Sequence, residues 1–119
     1  MPLKLSARTV QGIGVLDCEG RIVFGDECFE LRDTVKRMLE QSPNVVLNLK
    51  EVSYIDSGGL GTLVGLYTSA KNANGNIKLA ALNHRVIDLL QVTKLLTVFE
   101  TFPNDIDAAK SFATATTAA

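Results

Sequence analysis

Residues 44–61 read Asn-Val-Val-Leu-Asn-Leu-Lys-Glu-Val-Ser-Tyr-Ile-Asp-Ser-Gly-Gly-Leu-Gly, and this stretch decides the fold. The run at 45–49 is short and nearly continuous in apolar residues, which is typical of a strand buried on both faces of a sheet. A glycine-rich turn at 56–61 follows, and a helical pattern then reaches residue 73. A buried strand that leads into such a turn and a helix is where α/β proteins usually place their sites.

The patterns on either side of this stretch predict alternating strands and helices. Upstream, the predicted elements are an edge strand at 3–10, a turn at 11–12, a strand at 14–17, a turn at Gly20 and an extended segment at 21–24. A helix capped by Asp26 and ended by Ser42-Pro43 then leads into the quoted stretch. Downstream, the predicted elements are strand 77–81, helix 84–91 starting near Asn83, strand 96–99 and helix 106–112. This order predicts one α/β domain with a mixed, mostly parallel sheet of four or five strands and about four helices. We expect the domain to span 1–119, with a disordered low-complexity tail at 113–119.

Length and composition favour one globular domain and argue against several classes of function. The 119 residues are 46% hydrophobic and carry a net charge of -1 without a basic run, which argues against binding to nucleic acid or anionic membranes. The chain has two cysteines, Cys18 and Cys28, and one histidine, His84, and their spacing does not fit a metal site. We expect the two cysteines to be reduced thiols. Residues 1–4 lack the apolar core of a signal sequence, and no run approaches the ~18 apolar residues of a membrane span, so we expect neither a signal peptide nor membrane insertion. We expect a cytoplasmic protein with no metal and no cofactor.

The predicted helix that begins at residue 57 contains four glycines, although an interior glycine costs up to about 1 kcal/mol relative to alanine. At about 100° per residue, small residues share one narrow arc of this helix, namely Gly58, Gly61, Thr62, Gly65 and Ser69. Apolar residues occupy the opposite side, namely Leu60, Leu63, Val64 and Tyr67. We expect the apolar side to face the sheet and the small side to form a smooth surface that a partner can approach closely. The alternative is that the small side packs against the protein's own sheet.

Asp56 and Ser57 stand at the start of this helix, where either side chain can cap the unpaired N–H groups. A phosphate on Ser57 would be tolerated by those N–H groups and by the positive end of the helix dipole. It would also add about -1.5 to -2 charge beside Asp56, at the edge of the smooth surface. This combination fits a switch that keeps the fold and abolishes docking. The alternative is that Ser57 is an ordinary cap.

Enzymatic motifs do not fit the turn, so we predict no catalytic residue. A nucleophile elbow needs Gly-x-Ser-x-Gly, but Ile55 stands two residues before Ser57. A P-loop needs Gly-Lys-Ser/Thr, which is absent, and the segment after Gly59 lacks the third glycine of a dinucleotide fingerprint.

The segment 44–61, together with Gly20 and residues 86–99, resembles the STAS domain, which bacterial anti-sigma factor antagonists share with the cytoplasmic tails of sulphate transporters. The likeness runs from about residue 3 to residue 112. It implies that Ser57 is the phosphoacceptor of an anti-sigma factor with serine/threonine kinase activity, and that Asp56 is the neighbouring acid of the motif. The unphosphorylated protein would bind that factor and free a sigma factor. Phosphorylation with ATP would release it, and a PP2C-type phosphatase would reset the cycle.

The resemblance and the helical arc together predict phosphorylation at Ser57 and one partner-binding surface, formed by Asp56, Ser57, Gly58, Gly59, Gly61, Thr62 and Gly65. Two positions depart from the motif, because Gly58 replaces a common second serine and Val23 replaces a common acid. The competing functions are a non-switching interaction subunit of a membrane transporter complex or stress-signalling scaffold, and the binding of a phosphorylated ligand at the helix N-terminus.

Overall fold

Five strands form one sheet whose order follows the chain. The computed structural model describes the backbone of residues 3–117 and the side chains of residues 3–112. The strands are β1 (Lys4–Val10), β2 (Ile13–Ile22), β3 (Asn44–Ile55), β4 (Asn76–Ala80) and β5 (Thr101–Phe102). β1 pairs antiparallel with β2, and all later neighbours pair in parallel. The predicted α/β fold with a mixed, mostly parallel sheet and an edge strand at the start is confirmed.

Helices cover the two faces of the sheet unequally. They are α1 (Asp26–Gln41), α2 (Ser57–Asn72), α3 (His84–Val92) and α4 (Asp105–Thr117), with a short 3₁₀ helix at Leu95–Thr97. Each parallel crossover moves one strand in the same direction, so right-handed connections place α1, α2 and α3 on one face. Their buried side chains form the main core. α4 packs on the other face over a smaller cluster.

The central strand β3 contributes to both clusters. Val45 and Leu47 are fully buried in the main core, whereas Val46 is fully buried under α4. Farther along β3 this second face becomes polar, because the Asn48 side-chain amide donates to Asp17 at 2.8 Å. The prediction of a strand buried on both faces is confirmed for the first half of β3.

Both cysteines lie in the main core as free thiols. Burial raises the pKa of the Cys18 thiol to about 12, so this thiol stays protonated at neutral pH. Neither side chain is placed to react with an external group, which agrees with the expectation of reduced structural thiols.

The turn predicted at Gly20 is wrong, because β2 continues through it to Ile22. The ladder to β3 shifts register between Asp17 and Glu19 and again between Gly20 and Arg21, so a bulged strand replaces the turn. Gly20 has a φ of +119°, a conformation that favours glycine. The consequence is that β2 stays paired up to its end, where Ile22 lies opposite Ile55.

The strand predicted at 96–99 is also wrong. Lys94, with φ of +64°, follows α3, and the chain then forms the 3₁₀ helix Leu95–Thr97. The Phe99 backbone N–H donates to the Leu95 carbonyl at 3.1 Å, so the segment is coiled and not extended. A short apolar run does not distinguish a strand from a buried turn of helix. The last strand is the two-residue β5.

Helix ends agree with the sequence in one case and differ in another. Asn83 caps α3 as predicted, since its side chain accepts from Val86 N at 2.9 Å. The predicted cap of α1 is wrong, because Gly25 holds the cap position with φ of +112° and Asp26 is the first helical residue. α4 extends past the predicted end at 112 to Thr117, and residues 118–119 of the predicted tail lie outside the described residues.

Replacing Phe99 tests the corrected segment. Phe99 is 3% exposed and meets the Tyr67 ring edge-on, with centroids 5.2 Å apart. Phe99→Ala should lower the free energy of unfolding by about 3–5 kcal/mol, because it leaves a cavity in the main core. Val92→Ala, at a side chain 81% exposed, is the control and should change it by less than about 0.5 kcal/mol. Urea denaturation measures both, and a small loss for Phe99→Ala would contradict this packing.

Candidate functional site

The predicted turn lies where β2 and β3 end together. Ile22 and Ile55 are the last paired residues of these parallel strands, and the Asp56 backbone N–H donates to the Ile22 carbonyl at 3.2 Å. The loop that leads from β2 into α1 therefore lies against the start of α2. Two segments 32 residues apart in sequence form one edge of the molecule.

The Asp56 carboxylate joins these two segments. Its Oδ1 accepts from Gly59 N at 2.8 Å and caps α2, while Phe24 N donates to Oδ1 at 3.2 Å and to Oδ2 at 3.0 Å. The N–H groups of Phe24 and Gly59 hold the pKa of this carboxyl below its ordinary value. Asp56 therefore stays ionised at neutral pH and fixes both the helix start and the neighbouring loop.

Ser57 is the first residue of α2 and is exposed. The sequence left open whether Asp56 or Ser57 caps the helix, and the structure assigns the cap to Asp56. Within the described part of the chain, the Ser57 hydroxyl makes no hydrogen bond. Its oxygen is thus accessible and is not needed to hold the fold.

Two glycines allow the β2–α1 loop and the sheet edge to close onto α2. A Cβ atom added at Gly59 would lie 2.1 Å from the Ile22 carbonyl oxygen, a distance that no side chain tolerates. A Cβ added at Gly58 would lie 2.7 Å from the Cβ of Phe24. The departure of Gly58 from the serine common in the motif therefore has a local cause, the close approach of Phe24.

The small side of α2 is only partly a surface. Gly61 and Gly65 are exposed, and a Cβ at either would meet nothing within 4 Å. The prediction that Thr62 belongs to that surface is wrong, because its side chain is 5% exposed and its hydroxyl donates to the Gly58 carbonyl at 2.9 Å. Gly59 is buried as well. We use the name small face for the accessible set Ser57, Gly58, Gly61 and Gly65.

The opposite side of α2 packs as predicted, with one addition. Leu60 and Leu63 are buried in the main core, and Val64 and Tyr67 are partly buried against it. Leu66, 2% exposed, joins them although the helical arc did not single it out. The alternative in which the small side faces the sheet does not hold for Gly61 and Gly65.

Phe24 is a neighbour of the site that the sequence did not single out. Its side chain is 82% exposed, beside Gly58 and directly before Gly25. The sequence feature that could have indicated it is an aromatic residue in the loop between β2 and α1, at the carboxyl end of the strand next to β3. Because a turn was predicted at Gly20, the sequence did not indicate that β2 continues to Ile22 and places Phe24 beside the end of β3.

Features that could form other sites are few along the described part of the chain. It holds no group of three or more His, Cys, Asp or Glu side chains that could bind a metal ion. His84 is exposed at the first position of α3, whose cap is Asn83. No helix within 3–117 combines the length and apolar character that crossing a membrane requires.

Comparisons with known proteins identify relatives of this architecture. A model of the STAS domain matches residues 4–108. The anti-sigma-B factor antagonist of Bacillus subtilis (strain 168) is 37% identical over 70 residues, which are 59% of this chain and 64% of that protein. The anti-sigma F factor antagonist of Paenibacillus polymyxa is 29% identical over 68 residues, 57% of this chain and 58% of that protein. These names are those of antagonists and not of enzymes.

A solved structure agrees with the fold over most of the chain. The crystal structure of an anti-sigma factor antagonist from Mycobacterium paratuberculosis superposes with a TM-score of 0.78 at 21% identity, covering 92% of each chain. The sequence matches to the curated relatives are shorter and span between 47% and 64% of those proteins, less than two thirds of their length.

Two glycines of α2 should respond in opposite ways to alanine. Gly59→Ala should destabilise the protein strongly, because the new Cβ overlaps the Ile22 carbonyl. Gly61→Ala should stabilise it by up to about 1 kcal/mol, because the site is open and alanine favours the helix. Thermal and urea denaturation measure both variants. Equal changes in the free energy of unfolding for the two variants would contradict the close contact at Gly59 and the open space at Gly61.

The Asp56 cap should show a defined pH dependence. Asp56→Ala should lower the free energy of unfolding by about 1 kcal/mol at pH 7, as loss of an N-cap does. Because folding lowers the pKa of this carboxyl, its stabilisation is complete above the unfolded value of about 3.9 and is lost as the pH falls through the folded value. The difference between wild type and variant should therefore narrow in urea titrations below pH ~4. A constant difference would show that the carboxylate is not the stabilising group.

Proposed function

Because the chain belongs to the STAS domain family, we propose that it is an anti-sigma factor antagonist whose binding is switched by phosphorylation of Ser57. Unphosphorylated, it binds an anti-sigma factor that is also a serine kinase, and a sigma factor is released. The single observation that carries the proposal is the exposed Ser57 hydroxyl, free of hydrogen bonds to the described chain, beside a helix cap that Asp56 supplies.

The geometry supports a modification that leaves the fold intact. Asp56 already holds Gly59 N, so the helix cap does not depend on the Ser57 oxygen. A phosphate at the first helical position lies at the positive end of the α2 dipole, which favours negative charge. A kinase needs an accessible hydroxyl, and Ser57 presents one without local unfolding.

The small face supports docking of a partner before modification. Gly61 and Gly65 have no side chain, so a partner's backbone or helix can approach α2 closely along the side that carries Ser57. In the predicted binding set, Asp56, Ser57, Gly58, Gly61 and Gly65 would meet the partner. Gly59 and Thr62 are buried, so they would not touch the partner and would contribute by keeping α2 in place.

Phosphorylation would end docking through charge and size. A phosphate adds about -1.5 to -2 charge beside the Asp56 carboxylate, on a face otherwise made of glycine. A closely packed interface does not accommodate such a group without new cationic partners. In this cycle the ATP belongs to the kinase, and a PP2C-type phosphatase regenerates the binding form.

The relatives support this function by name. The Bacillus subtilis relative, 37% identical over 70 residues, is an anti-sigma-B factor antagonist. The STAS family model matches residues 4–108, a range that includes β3 and α2, and the fold agrees with the Mycobacterium paratuberculosis structure over 92% of this chain.

Phosphorylation itself is the first test. Each anti-sigma factor of the source organism that has a serine kinase domain is purified and incubated with the protein and Mg-ATP, and the product is mapped by mass spectrometry. Phosphate should appear at Ser57 and be absent from Ser57→Ala. Ser53→Ala is the matched control at a second exposed serine and should be phosphorylated like wild type. Phosphate only at other sites, or none with any of these kinases, would overturn the proposal.

Binding of the phosphorylating factor is the second test. In calorimetry with Mg-ADP, Ser57→Ala should bind like wild type, whereas Ser57→Asp should bind at least about tenfold more weakly because it places a charge on the small face. Full binding by both phosphorylated protein and Ser57→Asp would instead support a non-switching interaction subunit.

A further inference from the structure

We infer that Phe24 is an anchor of the docking surface, and that the partner receives its ring in an apolar pocket bordered by basic side chains. The inference rests on the proposed function and adds a second contact point to it. The occupant is the anti-sigma factor that phosphorylates Ser57.

Exposure and position together single out Phe24. Its side chain is 82% exposed, and a lone exposed apolar residue needs no explanation by itself. This one, however, lies against the small face, since a Cβ on Gly58 would be 2.7 Å from its own Cβ. Aromatic side chains are enriched among the residues that dominate binding at protein interfaces. A partner that packs against Gly58 and Ser57 would have to meet this ring.

The backbone of Phe24 is held in place although its ring is free. The Asp56 carboxylate accepts from Phe24 N with both oxygens, at 3.2 and 3.0 Å. The same carboxylate caps α2 through Gly59 N. The backbone of Phe24 is therefore held at a fixed place beside the start of α2, where Ser57 lies. Such preorganisation lowers the entropic cost of binding.

The charge around the ring defines the chemistry of the partner. Asp26 and Glu27 begin α1 two and three residues after Phe24, and the ionised Asp56 accepts from the Phe24 backbone N–H. An apolar ring with this acidic border is complementary to an apolar pocket with basic residues at its rim.

A pair of phenylalanines provides a matched test. Phe24→Ala should raise the Kd for the phosphorylating anti-sigma factor at least about tenfold in calorimetry with Mg-ADP, as truncation of an interface anchor does. Phe29→Ala is the control, because Phe29 is 66% exposed on the side of α1 that faces β1, beside Leu5. It should change the Kd by less than about twofold. Phe24→Leu should recover part of the affinity, since it restores an apolar side chain.

The outcomes separate this inference from the proposed function. If Ser57 is phosphorylated and Ser57→Asp loses binding while Phe24→Ala binds like wild type, the anchor is overturned and the function stands. If no kinase modifies Ser57, the function fails and the anchor fails with it. Equal losses for Phe24→Ala and Phe29→Ala would overturn a local anchor. Dimers in ultracentrifugation that Phe24→Ala dissociates would assign the ring to a second copy and likewise overturn it.

Discussion

The Asp56 carboxylate and its bonds to Phe24 N and Gly59 N are the constraint on which the rest of the site depends. One bond begins α2 and the other closes the β2–α1 loop onto that beginning. Both require β2 and β3 to end at the same level, which the pairing of Ile22 with Ile55 provides. The bulge at Gly20 is part of this arrangement, because it absorbs the register shift that lets β2 remain paired to its end.

The glycines of α2 divide into two groups with different physical causes. Gly58 and Gly59 are required by contact, since Phe24 and the Ile22 carbonyl occupy the space of a side chain. Gly61 and Gly65 have open space, so packing within the chain does not account for their cost to the helix. The proposed docking of a partner on this face would account for it. Gly58 and Gly59 thus serve the fold, whereas Gly61 and Gly65 would serve the proposed docking.

The sequence could predict the parts of this fold that rest on periodicity. The buried run of β3, the helix from Ser57 and the cap at Asn83 follow from local pattern and were correct. Contacts distant in sequence decided the rest. One exception is local, since Thr62 can be buried because its hydroxyl donates to the Gly58 carbonyl four residues earlier, a bond that a helical wheel does not show. Phe24 enters the site only because its backbone meets Asp56 across 32 residues.

Assignment of the helix cap to Asp56 has a consequence for how a switch can work here. If Ser57 were the cap, a phosphate on its oxygen would alter the bond that begins α2, and modification would cost stability. With the cap on its neighbour, the serine oxygen is free and the carboxylate keeps the helix start in place. The proposed modification would then act on the surface alone. A charge placed at that point changes what can dock on the small face while the scaffold that presents it stays the same, so the two forms would differ in affinity and not in fold.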